Sequence, residues 1–261
     1  FLLTRLYLGH GPGPGGESSE ESARRFSVTP ACGWCGRPWT ITPTCGALCS
    51  VRRQRPATLC PECRATFLPW SAEMVHCPRC HRPGAAVLCA DCQYWQQLLP
   101  WLDGQAQHLF AYHSPIQTYF ERFKRQGDYQ LAAVFAADIG DWWRTRRRHY
   151  DAVIPVPSDP VRARQRGFDP VTALFASVLP LTPVLEKQGT TPEQAQQDRA
   201  TRLTTRQPFI YQPKRGVRLR QWRRILLVDD IYTTGSTLHQ TAAVLHAAGS
   251  DAVMDTFTLA R

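Results

Sequence analysis

The pattern of hydrophobic positions changes near residue 94. From residue 95 onward, short apolar runs typical of buried strands alternate with segments in which apolar residues recur at helical spacing. The helical spacing is clearest between residues 115 and 125, where Ile116, Tyr119, Phe120 and Phe123 share one face. This alternation predicts an α/β fold, with a parallel-centred sheet and helices on both of its faces.

The apolar runs and the turn residues between them set the predicted bounds of each element. Strands are predicted at Gln107–Tyr112, Ala152–Ile154, Leu181–Leu185, Arg224–Val228 and Ala252–Leu259. Helices are predicted at 115–125, Tyr129–Arg146, Pro170–Val178 and Ser236–Ala248, and Gly127 and Gly249 are the predicted stops. The polar run 187–208 predicts a loop. Together these elements predict one α/β domain at residues 95–261.

The part before residue 95 is set apart by its cysteines. All ten cysteines of the chain lie between Cys32 and Cys92. Eight of them form C-x-x-C pairs, which are Cys32/Cys35, Cys60/Cys63, Cys77/Cys80 and Cys89/Cys92. Two thiolates at this spacing in a tight turn face one tetrahedral site, and two such turns close it. Residues 30–94 are therefore predicted to form a small domain with two structural zinc sites.

Other interpretations of the cysteines remain open at this level. Neighbouring pairs are expected to share a metal, so that the first two pairs hold one zinc ion and the last two hold the other. A rival scheme joins Cys32/Cys35 to Cys45/Cys49 and Cys60/Cys63 to Cys77/Cys80, and leaves Cys89/Cys92 without partners. Disulfides are disfavoured because the cytosol keeps thiols reduced. A redox pair would need one motif in a βαβ context rather than four in succession.

Composition limits the class of protein. The formal net charge is +10, and arginine supplies nearly all of the cationic side chains, which suits a polyanionic partner but is also what a GC-rich genome would encode. No run of about 18 apolar residues exists, so we expect no membrane insertion. Residues 1–8 are too short and too polar for a signal peptide, so a cytoplasmic protein is expected. Residues 1–29 are rich in Gly, Pro, Glu and Ser and predict disorder.

The segment 225–237 carries the strongest chemical pattern. Four apolar residues precede Asp229 and Asp230, and a turn rich in glycine and hydroxyl groups then opens a helix. A buried strand would deliver both carboxylates to the sheet edge where open α/β folds bind ligands. The turn would offer backbone N–H groups at a helix N-terminus, which suits a phosphate. A capped helix alone would not need two acids and four hydroxyl groups.

This segment resembles the phosphoribosyl pyrophosphate motif of type I phosphoribosyltransferases. The resemblance implies that Asp229 and Asp230 hold the ribose hydroxyls, directly or through Mg²⁺. It implies that the 5′-phosphate is bound by Thr233, Thr234, Gly235, Ser236 and Thr237.

Further segments fit the same resemblance. The turn with Pro157 and Ser158 resembles the pyrophosphate-binding loop, and Arg166-Gly167-Phe168 follows it. The polar run 190–202 resembles the loop that closes over the substrate. Its Arg199 and Arg202 are the candidate cations that stabilise the departing pyrophosphate.

The whole pattern from residue 32 to 261 resembles the ComF family, late competence proteins with a double zinc ribbon and a phosphoribosyltransferase domain. One departure is Phe168-Asp169, where Phe-Asn is expected. The resemblance implies a competence protein that binds phosphoribosyl pyrophosphate with Mg²⁺, and its implied partners are single-stranded DNA and a competence helicase. The alternatives are a nucleobase phosphoribosyltransferase of salvage metabolism and a non-catalytic sensor of the same ligand.

Tryptophans of the cysteine-rich part have two interpretations. Trp34, Trp39 and Trp70 could stack on bases of single-stranded DNA. They could equally form the small core of a metal-held module, and this second interpretation is favoured.

Overall fold

The chain folds around a parallel sheet. The computed structural model describes residues 30–40, 58–71, 75–84, 86–188 and 209–261. In chain order the strands are β1 (Ala106–Phe110), β2 (Ala152–Pro155), β3 (Leu185–Lys187), β4 (Phe209–Tyr211), β5 (Arg224–Ile231) and β6 (Val253–Ala260). The main sheet has the order β1-β6-β5-β2, and all of its neighbouring strands are parallel. Strands β3 and β4 pair separately as an antiparallel hairpin.

Helices occupy both sides of this sheet. The α-helices are α1 (Pro61–Thr66), α2 (Ala90–Leu98), α3 (Ser114–Phe120), α4 (Ala136–Arg146), α5 (Pro160–Arg166), α6 (Pro170–Phe175) and α7 (Ser236–Ala247). Shorter helical turns lie at Glu121–Arg125, which is a π turn, and at Tyr129–Ala133, Arg147–His149 and Leu219–Gln221, which are 3₁₀ turns. Parallel sheets need both faces covered, and the helices supply that cover.

The central strand β5 explains where the core lies. Its residues Ile225 to Val228 are completely buried, and alternate side chains point to opposite faces. Leu226 and Val228 join a core cluster that includes side chains of α3, α4 and α6. Ile225 and Leu227 join a second cluster on the other face, with side chains of α7. The sheet is therefore the middle of three layers.

The cysteine-rich part contributes to both clusters. Cys32, Cys60 and Cys63 belong to the first cluster, whereas the buried cysteines between residues 77 and 92 belong to the second. Helix α2 runs across residue 94 without a break, and Trp95 within it is only 2% exposed. The cysteine-rich part is thus packed against the layers of the sheet domain.

Most predicted elements of the α/β part are present, with small shifts in their bounds. Strand β5 continues three residues beyond the predicted end, so that both aspartates lie within it. The predicted helix at 115–125 is confirmed, but its last five residues form the π turn. Gly127 follows with φ of 72° and Gly249 with φ of 96°, in the left-handed region that glycine favours.

Two predicted elements are wrong in extent. The predicted strand at Leu181–Leu185 contacts the main sheet through a single bridge, from Leu181 to Val153, and regular pairing begins only at Leu185. Pro183 lies between them and has no N–H to continue a ladder. The predicted helix at Tyr129–Arg146 is divided into a 3₁₀ turn and α4, and Leu131, Phe135 and Ile139 are buried across the division.

Several predictions fall on residues outside the described ranges. These are the disorder of residues 1–29, most of the predicted loop at 187–208, and the fate of Cys45 and Cys49. The boundary between domains at residue 94 stays a prediction. Among the described residues, every helix is too short or too polar to cross a lipid bilayer.

Candidate functional site

The eight C-x-x-C cysteines gather into two groups of four. Within each group, the sulfur atoms all lie within 4.8 Å of one another, and the groups are Cys32, Cys35, Cys60 and Cys63, and Cys77, Cys80, Cys89 and Cys92. A tetrahedral zinc ion with Zn–S bonds of about 2.3 Å requires S–S separations of about 3.8 Å. The Cys80 and Cys89 sulfurs are 3.6 Å apart, which fits this geometry.

This grouping is the one in which neighbouring pairs share a metal. The rival scheme, with Cys60/Cys63 joined to Cys77/Cys80, is wrong because these pairs lie in different groups. Two turns of the backbone place the first pair, since the amide groups of Gly36 and Cys60 donate to the carbonyl oxygen and the sulfur of Cys32. The two tetrads can each hold a zinc ion.

An arginine stands beside one thiol of each tetrad. A hydrogen bond from Arg37 lowers the pKa of Cys35 to about 6. The pKa of Cys80 is lowered to about 5, first by a hydrogen bond from the Cys92 thiol and further by the charge of Arg261. Because four thiolates around Zn²⁺ carry a net charge of −2, a cation at each site offsets part of that charge.

The tryptophans of this region pack inward. Trp34 meets Phe67 edge to face with ring centroids 5.4 Å apart, and the Arg122 guanidinium lies 4.6 Å from its ring centroid. Trp70 stacks on His81 at 4.6 Å. Trp39 packs against the first core cluster. These contacts favour the core interpretation over base stacking.

The two aspartates lie at the carboxyl end of β5. Asp230 is 8% exposed, and its carboxylate oxygen Oδ2 forms an ion pair with Lys124 Nζ at 2.5 Å. The Asp229 carboxylate accepts a hydrogen bond from the Asp230 amide at 2.8 Å. Strand β2 ends beside them, because Pro155 pairs with Val228. The carboxylates therefore face the sheet edge where ligands of parallel sheets bind.

Burial and neighbouring charges shift the pKa values of Asp229 and Lys187 at this edge. Burial, and then the negative charge of Asp230, raise the pKa of Asp229 to about 8. Lys124 and Lys187 act in the opposite direction on Asp229. Burial lowers the pKa of Lys187, while Asp159 and Asp229 attract its charge. The aspartate pair is thus incompletely neutralised by the protein and suits an additional cation.

A turn rich in hydroxyl groups follows β5 directly. Thr234 and Ser236 are buried, Thr233 is exposed, and Thr237 lies in the first turn of α7. Gly235 has φ of 76°, and a Cβ atom there would approach the Tyr232 hydroxyl and the His239 ring within 2.6 Å. The turn therefore needs glycine for its conformation and for space. It brings together the predicted phosphate-binding residues at the N-terminus of a twelve-residue helix.

The turn after β2 lies along the same edge. The Val156 amide donates to the Val228 carbonyl, which extends the pairing with β5 before Pro157 and Ser158 leave the sheet, partly exposed. The Ser158 amide donates to Asp169, which also caps α6 through the Thr172 amide. Both carboxylate oxygens of Asp169 act as acceptors, and an asparagine side chain has only one such oxygen.

The segment Arg166-Gly167-Phe168 holds the π turn that carries Lys124. Arg166 Nε donates to the Lys124 carbonyl at 2.5 Å, and Phe168 packs on Phe123 with ring centroids 5.1 Å apart. The π turn breaks the 3.6-residue repeat and directs Lys124 to Asp230. Such turns often occur at functional sites.

Sequence reasoning missed some residues of this site. The motif Lys124-x-x-Gly127-Asp128 belongs to the ComF resemblance, but this reasoning assigned Lys124 no role at the site, and it missed Lys187, for which the scarcity of lysine was the available signal. Arg261 and Trp95 were missed because their contacts join distant parts of the chain. Arg199 and Arg202 lie outside the described residues, so their assignment stays a prediction.

Comparison with known proteins places the chain among its relatives. No protein-family model matches it. It is 32% identical over 231 residues to the competence protein ComFC of Streptococcus pneumoniae, covering 88% of this chain and 99% of that relative. It is 27% identical over 211 residues to the competence protein ComFC of Bacillus subtilis, covering 78% and 84% respectively. The paired cysteines, the parallel sheet and this near-complete coverage agree, and the chain belongs to the ComF family of competence proteins.

Proposed function

We propose that this competence protein binds phosphoribosyl pyrophosphate together with Mg²⁺ at the carboxyl end of β5. The observation that supports the proposal is the pair Asp229 and Asp230 at the end of the central strand, where Asp230 is buried and Asp229 is partly buried, followed directly by the turn 233–237. A ribose would be held by the carboxylates and its 5′-phosphate by the turn, whose amide groups open α7.

The donor set suits Mg²⁺. Hard divalent cations of this size bind one or two carboxylates together with phosphate oxygens and water. The pKa of Asp229 is raised first by burial and then by the negative charge of Asp230, and a divalent cation would offset both effects. When bound with the ligand, Mg²⁺ would neutralise charge on the pyrophosphate.

The remaining residues of the site would orient the ligand. Lys124 and Lys187 carry positive charge at the same edge, and the turn with Pro157 and Ser158 is placed beside Asp229 by the β2–β5 pairing. In a transfer reaction, Arg199 and Arg202 would stabilise the departing pyrophosphate. These two arginines belong to the proposal through the family resemblance alone.

The decisive experiment is calorimetric titration with phosphoribosyl pyrophosphate and Mg²⁺. We expect binding by the wild-type protein and no detectable heat from Asp229→Asn/Asp230→Asn. A matched control is Asp103→Asn/Asp251→Asn, which makes the same change of charge at exposed positions outside the site. Equal heats from the wild type and the site variant would refute the proposal, provided that circular dichroism and zinc content are unchanged.

Turnover is tested separately from binding. Pyrophosphate release that depends on a nucleobase would identify a phosphoribosyltransferase of salvage metabolism. Binding without turnover over a panel of nucleobases would identify a non-catalytic ligand sensor. In either case the zinc tetrads would stabilise the fold and take no part in the reaction, because four thiolates leave no open position on the metal.

The competence role is tested in cells. We propose that the ligand-bound protein supports the uptake of single-stranded DNA in the cytoplasm, together with a competence helicase. The Asp229→Asn/Asp230→Asn variant should lower transformation frequency although the protein accumulates normally. An unchanged transformation frequency would show that the competence role does not depend on the ligand site.

A further inference from the structure

Four consecutive carbonyl groups of the turn after β5 each accept a hydrogen bond from a side chain. They belong to Tyr232, Thr233, Thr234 and Gly235. Among the described residues, the amide groups of Thr233, Thr234 and Gly235 have no acceptor. Because the carbonyl and amide groups of one trans peptide point in opposite directions, fixing each carbonyl also fixes the direction of the amide in the same peptide.

Arg261 holds the first two carbonyls. Its guanidinium Nη1 donates to Tyr232 O at 3.1 Å and to Thr233 O at 3.0 Å. The same guanidinium donates through Nη2 to the Cys80 sulfur at 2.8 Å. One side chain therefore joins a thiol of the second tetrad to two peptides of the turn.

Trp95 and His239 hold the next two carbonyls. Trp95 Nε1 donates to Thr234 O at 3.1 Å, and its ring stacks on His239 with centroids 4.9 Å apart and an interplanar angle of 6°. His239 Nδ1 lies 2.6 Å from Gly235 O, so this nitrogen carries the proton. Trp95 belongs to α2, which begins directly after Cys89 and contains Cys92.

We infer that the second cysteine tetrad sets the conformation of the phosphate-binding turn, with Arg261 and Trp95 as the positioning residues that couple them. The inference rests on the proposed function. Metal binding would fix Cys80 and the start of α2, and thereby the donors that hold the turn. Reciprocally, a ligand on the turn would stabilise the metal in this tetrad.

The first tetrad provides the internal control. Arg37 also donates a hydrogen bond to a thiol of its tetrad, Cys35. The ion pair of Arg37, however, is with Glu62 in the same cysteine-rich part, and not with the turn. The buried cysteines of the first tetrad pack in the cluster on the opposite face of the sheet from α7. Loosening this tetrad should leave the turn unchanged.

The coupling can be tested without any ligand, by hydrogen–deuterium exchange of the full-length, zinc-loaded chain. In Arg261→Gln, the amides that are hydrogen-bonded on either side of the turn, Tyr232 to Ala260 O and His239 to Gly235 O, should exchange about tenfold faster than in the wild type. Trp95→Phe, which keeps an aromatic ring but removes the indole N–H, should give a smaller increase. Arg37→Gln should give none. Unchanged exchange in folded Arg261→Gln, with both zinc ions retained, would overturn the inference.

The reciprocal test uses the ligand. A chelator removes zinc, and alkylation of the freed thiols, measured peptide by peptide by mass spectrometry, shows which tetrad has lost its metal. Phosphoribosyl pyrophosphate with Mg²⁺ should slow the alkylation of Cys77 and Cys80 by about tenfold, within the usual range of coupling between sites. Alkylation of Cys32 and Cys35 should not change.

The variants distinguish coupling from general destabilisation. In Arg261→Gln the protection of Cys77 and Cys80 by the ligand should disappear, while in Arg37→Gln it should persist. Arg261→Lys keeps a cation near Cys80 but lacks the forked guanidinium that bonds the Tyr232 and Thr233 carbonyls together with the Cys80 sulfur. Compared with Arg261→Gln, it should therefore restore zinc retention more than it restores the ligand's protection of Cys77 and Cys80 against alkylation. If calorimetry shows that the wild type does not bind the ligand, the proposed function fails, and the exchange experiment still decides the coupling. Binding with equal protection in the wild type and Arg261→Gln would refute the coupling alone.

Discussion

Gly235→Ala should destabilise the protein more than a change of one methyl group suggests. The residue has φ of 76°, and an alanine in this left-handed conformation costs about 1–2 kcal/mol. The new Cβ would also lie 2.4 Å from the Tyr232 hydroxyl and 2.5 Å from the His239 ring. Both of these side chains are buried, so neither can swing into solvent.

The crowding adds to the backbone strain. Relief of the clash requires His239 to leave its stack on Trp95 and its hydrogen bond to Gly235 O. An aromatic pair contributes about 0.5–1.5 kcal/mol and a hydrogen bond a similar amount. We therefore expect Gly235→Ala to lower the free energy of unfolding by about 2–5 kcal/mol in total.

Urea denaturation of the zinc-loaded protein measures this loss. The matched control is Gly216→Ala, because Gly216 has φ of 84° and an added Cβ would meet no atom within 4 Å. The control should lose only about 1–2 kcal/mol. Equal losses in the two variants would show that the turn has room for a side chain, and the account of its packing would be wrong.

Three other changes give further tests. Asp229→Asn should stabilise the ligand-free protein. Folding raises the pKa of Asp229 from 3.8 to about 8, so the wild type loses stability as pH rises between these values. Urea denaturation near pH 8 should show that the free energy of unfolding of the variant is higher by roughly 2–5 kcal/mol. The wild type should carry two zinc ions per chain by elemental analysis, and Cys63→Ser should retain one. Phe135→Ala should cost about 3–5 kcal/mol in urea denaturation, because Phe135 is completely buried.

The sequence predicted the α/β architecture because its strongest signals are local. Strand β5 appears in the sequence as an unbroken apolar run, since a central parallel strand is buried on both faces. The two cysteine tetrads were predicted from the expectation that neighbouring pairs share a metal and from the C-x-x-C spacing, because such turns carry their geometry with them. For the same reason Asp229 and Asp230 could be placed at the end of β5 before any coordinates were known.

Contacts between distant segments were beyond the sequence. The π turn at Glu121–Arg125 departs from helical periodicity, and only the packing of Phe168 and Arg166 shows why Lys124 faces Asp230. The link from Cys80 through Arg261 to the turn spans 181 positions of the chain. No periodicity or motif encodes such a contact, so it could not have been predicted.

The scarcity of lysine gives the protein a chemical reporter of its own. Amine-reactive reagents can modify the side chains of only three lysines. Two of these, Lys124 and Lys187, act on the aspartates at the end of β5, while Lys214 is exposed. An occupant of the sheet edge would shield the first two amines and leave the third as an internal standard. Footprinting by acylation could therefore report occupancy in crude extracts, where calorimetry is impracticable.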